Sequence, residues 1–83
     1  MQLQHLPDAV RLLTFDTTHH ALLAEQIAHD HGLAAEVTPA PPESGAKCDL
    51  ALEFLPEEEE LLTSVLRAAD VEFRIFVRST ASD

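Results

Sequence analysis

Ala9 to Phe15 (AVRLLTF) is a short apolar run between Pro7-Asp8 and Asp16-Thr17-Thr18, the pattern of a largely buried strand bounded by turn formers. From Thr18 to His31 the period lengthens. Ala21, Leu23, Ala24, Ile27 and Ala28 fall on one helical face, and Gly32 follows as a left-handed C-terminal stop. Asp16, Thr17 or Thr18 can each offer a side-chain oxygen to the first turn, and the sequence does not choose between them. Leu33 to Thr38 alternates weakly, with Ala35 and Val37 on one face, and ends at Pro39-Ala40-Pro41-Pro42, which cannot continue a ladder. Residues 39–47 then form a loop, stiffened by its prolines. Cys48 to Phe54 alternates cleanly, Cys48, Leu50, Leu52 and Phe54 against Asp49, Ala51 and Glu53, so a third strand is expected to start at the cysteine. Pro56 followed by Glu57 to Glu60 opens a second helix, with carboxylates at the positive end of its dipole and Leu62, Val65, Leu66 and Ala69 as its apolar stripe. Val71 to Val77 alternates again, Val71, Phe73, Ile75 and Val77 inward, and Arg78 to Asp83 reads as a loose tail.

The order βαββαβ predicts a ferredoxin-like α+β sandwich, a four-stranded antiparallel sheet with two helices on one face. Residues 1–83 are expected to form a single domain with its core in about 9–77. Arg11, Glu36, Asp49, Glu53, Glu72 and Arg74 are assigned to the opposite face, whose polarity permits a monomer and leaves room for a homodimer. An apolar fraction of 46% is enough for a packed core and argues against disorder. The net charge of −10 repels phosphate backbones and anionic headgroups, so neither nucleic acid nor a membrane is an expected partner. No run reaches the roughly 18 apolar residues of a membrane span and the start is unlike a signal peptide, which leads to a cytoplasmic assignment.

The one cysteine cannot form an internal disulfide, and a single free thiol suits a reducing compartment. Right-handed crossovers bring the end of the first strand, the start of the first helix, the end of the second strand and the start of the third to one rim. That rim gathers Asp16, Thr17, Thr18, His19 and Cys48. The helix dipole and the adjacent Lys47 favour a thiolate there, whereas Asp49, Glu43 and the acidity of the chain oppose it. Two readings of Cys48 stay open. Parity with Leu50, Leu52 and Phe54 makes it a small core hydrophobe, and its place at the end of a loop makes it an accessible nucleophile.

Phe15-Asp16-Thr17-Thr18-His19, then Ala21-Leu22 and Glu25, Gly32, Pro39-Ala40-Pro41 with Glu43, and Cys48 before Leu50-Ala51-Leu52 resemble a family of small bacterial domains. These are the selenium/sulfur (Se/S) carrier protein-like domains, and the resemblance covers roughly residues 10 to 77. It implies that Cys48 carries the chalcogen and that the hydroxyl-rich turn falls on Thr17 and Thr18. It also implies donor and acceptor proteins as partners, of the cysteine desulfurase-like, TusA-like or selenium-pathway kind. The chain departs from the family where small hydroxyl residues usually lead into Cys-Gly: it has Gly45-Ala46-Lys47 and then Cys48-Asp49. Loss of that glycine removes backbone freedom beside the thiol, and Asp49 adds a charge that repels a thiolate.

In chemical terms a carrier needs one nucleophilic cysteine and no resolving partner, and no cofactor. Thr17, Thr18 and first-turn amides are candidates to hydrogen-bond the terminal chalcogen, with Lys47 nearby and His19 as a proton exchanger. His29 and His31 point about 200° apart on a helix, so no metal site is expected there, although Glu25 and His29 share a face. The alternative function is a noncatalytic ligand-binding or protein-interaction module with Cys48 as core. A self-sufficient enzyme ranks third, since no Ser-His-Asp set, phosphate loop or zinc motif is present.

Overall fold

The computed structural model of the chain describes residues 9–79, with side-chain surroundings for residues 11–77. The expected turn at Pro7-Asp8 and residues 80–83 of the expected tail lie outside the described residues. The elements run β1 (Ala9–Thr14), α1 (Thr18–Asp30), β2 (Glu36–Pro39), β3 (Leu50–Glu53), α2 (Glu59–Ala68) and β4 (Arg74–Ser79). Short 3-10 turns occupy Pro42–Ser44 and Pro56–Glu58. Among the described residues the strands make one antiparallel sheet in the order β2-β3-β1-β4. β1 and β2 both oppose β3, so they run the same way and α1 is the crossover between them. α2 links β3 to β4 in the same manner. This is the ferredoxin-like α+β arrangement.

Both helices cover one face. Leu13 and Phe15 at and after β1, Leu52 of β3, and Leu62 and Leu66 of α2 are buried together with Ala21, Ala24 and Ala28 of α1. Alanines are the buried positions of α1, so no long side chain holds that helix off the sheet. Leu23, expected on this face, is 38% exposed because it lies about 100° around the helix from Ala24. Ala24→Leu would force extra carbons into a position with no free surface. Urea unfolding is expected to show a loss of about 1–3 kcal/mol, and an unchanged midpoint would mean the helix stands further from the sheet than its buried alanines indicate.

Each helix ends on a paired backbone turn. After α1 the Gly32 N–H donates to the His29 carbonyl at 2.9 Å and the Leu33 N–H to the Ala28 carbonyl at 2.9 Å, with Gly32 left-handed at φ 75°. After α2 the pattern repeats: the Asp70 N–H reaches the Arg67 carbonyl at 3.0 Å and the Val71 N–H the Leu66 carbonyl at 3.0 Å. Here the left-handed residue is Asp70, at φ 63°. In α2 the buried residues are Leu62, Thr63 and Leu66, whereas Ala69, expected in the stripe, is the exposed C-cap.

Several strand limits differ from expectation. β2 spans Glu36–Pro39 rather than Leu33 to Thr38, although Ala35 is buried and Val37 packs on the core as the alternation implies. β4 begins at Arg74 and continues through Arg78 and Ser79, which were assigned to the tail. Ile75 and Val77 take the helix-side parity, opposite Leu13 and Arg11, yet are 40% and 50% exposed because β4 is an edge strand.

Arg11 lies on the helix side, not on the opposite face, because it shares the parity of the buried Leu13 and Phe15. Its guanidinium grips Glu59 at the start of α2 with two bonds, Nε to Oε1 and Nη2 to Oε2, both 2.7 Å. The centre of the opposite face is therefore less polar than expected: Leu12, Thr14 and Ala51 are buried there, with Glu36, Glu53 and Arg74 around them. The hydrogen bond from Arg11 holds the Glu59 carboxyl below the usual carboxylate range, against the opposing effect of burial. A lowered folded-state value stabilises fully above the unfolded value and is lost as pH falls through the folded one. The melting temperatures of the native chain and Glu59→Gln are thus expected to differ most near neutrality and to converge as pH falls below the ordinary carboxylate range. A gap that stays constant over that range would show that ionisation of Glu59 contributes nothing.

Candidate functional site

The rim where β1 and β2 end is built by local sequence. β1 stops at Thr14, the chain turns through Phe15 and Asp16, and Thr17 caps α1: its backbone is extended and its Oγ1 accepts the His20 N–H at 3.1 Å. Of the three candidate caps, Thr17 is the one used. On the neighbouring strands the β2–β3 loop is pinned from within. Ser44 donates its hydroxyl to the Pro41 carbonyl at 2.7 Å, and its Oγ accepts the Ala46 N–H at 3.2 Å. Gly45 turns the chain in the left-handed region, and the Ala40 N–H donates to the Asp49 carbonyl at 2.8 Å.

Cys48 follows this loop one residue beyond that last rung. It is not the first residue of β3, which starts at Leu50, because the partner strand β2 ends at Pro39. Its alternation with Leu50, Leu52 and Phe54 persists nonetheless. The side chain is partly buried and packs on the edge of the core, so the two readings of Cys48 meet in one residue with core contact and an open side. Sγ donates to the Leu50 carbonyl at 3.1 Å. A thiolate has no proton to give, so ionisation frees the sulfur from that carbonyl.

The other candidates are not bonded to the thiol. Among the described residues no hydrogen bond or ion pair joins Thr17, Thr18, His19 or Lys47 to Cys48. Thr17 is committed to the cap, Thr18 and Lys47 are exposed, and the His19 ring lies 5.9 Å from that of His20. Among the described residues the other two histidines sit against backbone: His29 Nε2 is 2.7 Å from the Ala35 carbonyl oxygen, with Glu36 Oε2 3.8 Å away, and His31 Nδ1 is 3.0 Å from the Ile27 carbonyl oxygen. Glu25, on the face of His29, accepts the Val37 N–H of edge strand β2 at 3.0 Å. Two of the four acids at the start of α2 are likewise engaged, Glu58 with the Ala34 N–H at 2.9 Å and Glu59 with Arg11.

A family match accounts for the order of these motifs. The family described as "Putative Se/S carrier protein-like" matches residues 11–78. The chain belongs to that family. Neither curated proteins nor solved structures yield a match. The matched span contains the whole rim and, within it, the single cysteine of this family member. Among the described residues no helix is long and apolar enough to cross a membrane. The rim also contains the end of α2 and the start of β4, which the sequence-based expectation leaves out. Arg74 Nη1 reaches Asp16 Oδ1 at 3.2 Å, and a cavity opens between these elements whose lining does not include Cys48. The signal for it is the mixed-charge run Arg67-Ala68-Ala69-Asp70-Val71-Glu72-Phe73-Arg74, with an acid where a helix usually ends on glycine.

Proposed function

We propose that the protein is a sulfur or selenium carrier that accepts a chalcogen atom on Cys48 and relays it between partner proteins. The observation that carries this reading is membership in the Se/S carrier-like family over a span in which Cys48 is the only thiol. Its partial exposure at the rim is compatible with a nucleophile, and the hydrogen bond from the thiol to the Leu50 carbonyl is given up when the thiolate forms.

In the accepting step the Cys48 thiolate attacks the outer sulfur of a donor persulfide. A sulfur–sulfur bond forms at Cys48, the bond within the donor persulfide breaks, and the donor leaves as a thiolate. The exchange is redox-neutral and needs no cofactor. An acceptor thiolate then attacks the outer sulfur of the Cys48 persulfide and frees Cys48 in the same way. With no second cysteine in the chain, the persulfide cannot collapse into an internal disulfide. Thr18, His19 and Lys47 are proposed to face the partner during transfer, while Thr17 keeps the helix start in place. Incubation with a cysteine desulfurase and cysteine tests the reading by intact mass. A reducible gain of about 32 Da, absent after prior alkylation, is expected. No gain, with a thiol that resists alkylation until the chain unfolds, favours the noncatalytic module instead.

A further inference from the structure

The cavity on the β1–β4 side of the rim has a volume of about 350 Å³, within the range of small-molecule sites. Val71 and Phe73 form an apolar wall, Thr14 and Phe15 add to the lining, and the other five lining residues are charged. Arg74 and Asp16 satisfy each other at 3.2 Å. The Arg67 guanidinium lies over the Phe73 ring, 5.3 Å from its centroid. Among the described residues neither Arg67, Asp70 nor Glu72 has an ion-pair partner. One cation and two carboxylates thus face the cavity unneutralised. A simple anion would meet the carboxylates and a simple cation the guanidinium, whereas a molecule carrying both signs finds a counter-charge for each.

A second observation concerns Asp70. Its φ of 63° is a conformation that favours glycine, and glycine holds the same place after α1. The chain therefore keeps a carboxylate on the cavity in a strained backbone state, at the C-terminal end of α2, where helix carbonyls attract positive charge.

We propose that this cavity binds a free α-amino acid with an apolar side chain. The carboxylate sits on Arg67, the ammonium on Asp70 and the end of α2, and the side chain along Val71 and Phe73. The site is independent of carrier chemistry at Cys48.

The test is a titration of the ¹⁵N-labelled full chain, at fixed ionic strength, with L-leucine and with two compounds that each lack one charge, 4-methylpentanoate and 3-methylbutylamine. L-Leucine is expected to give saturable shifts at Asp16 and residues 70–74, and each single-charge compound to bind at least about tenfold more weakly. Asp70→Gly relieves the backbone strain, so it is expected to melt at higher temperature yet to lose at least about tenfold in L-leucine affinity. Arg67→Gln is expected to lose affinity to a similar degree. The proposal is overturned by the absence of saturable shifts up to about 20 mM, a concentration that still detects millimolar affinity. Equal binding by either single-charge compound, or an Asp70→Gly protein that gains stability and binds L-leucine unchanged, overturns it as well.

Discussion

Cys48→Ser is expected to abolish sulfur acceptance and to leave the fold intact. Both halves follow from the surroundings of Sγ. Acceptance requires a sulfur nucleophile, and a serine hydroxyl cannot form a persulfide, so the gain of about 32 Da should vanish rather than diminish. The fold should persist because a serine hydroxyl can donate to the Leu50 carbonyl as Sγ does, and because the side chain is only partly buried. A stability change within about 1 kcal/mol in urea is expected, since the exchange swaps a weakly polar atom for a polar one at a half-open position. A mass gain that survives Cys48→Ser would place acceptance elsewhere. A variant that fails to fold would make the thiol a core element first and a carrier second.

The largest effect on stability is expected from Leu66→Ala. Leu66 has no exposed surface, and its carbonyl accepts the Val71 N–H in the turn that closes α2, so it packs the core and anchors the route into β4. Truncating a fully buried leucine costs about 2–5 kcal/mol, the transfer of its methyl-bearing carbons plus the cavity left behind. A chain of 83 residues has on the order of 4 to 12 kcal/mol in total, so the loss is a large share of it. Leu61→Ala, five residues earlier on the same helix at a side chain 50% exposed, should cost within about 0.5 kcal/mol. Equal shifts of the urea midpoint in the two variants would contradict the placement of α2 on the sheet.

Periodicity carried most of the fold because it records which side of each element is dry. The alternation at Leu50, Leu52 and Phe54, the stop at Gly32 and the opening at Pro56 are each a local signal, and each element formed within a few residues of its signal. Arg11 shows where composition misleads. Its parity with Leu13 and Phe15 is plain in the sequence, yet a charged side chain invites assignment to the solvated face. The length of arginine lets the stem follow the helix side while the guanidinium reaches Glu59 at the margin. The start of β3 was misplaced for a different reason: alternation is a property of one strand, whereas a ladder needs two, and β2 ends at Pro39.

Element order, the sheet topology that follows from right-handed crossovers and the placement of the single thiol at the rim are legible in the chain alone, since each depends on local chemistry or on a general rule of connection. The tertiary structure alone decided which of three residues caps α1, that Cys48 bonds the Leu50 carbonyl rather than Thr17 or His19, and that Asp16 meets Arg74 across 58 positions of chain. Those outcomes depend on distances between segments remote in sequence, and such distances are set by how the alanine face of α1 and the leucines of α2 settle on the sheet.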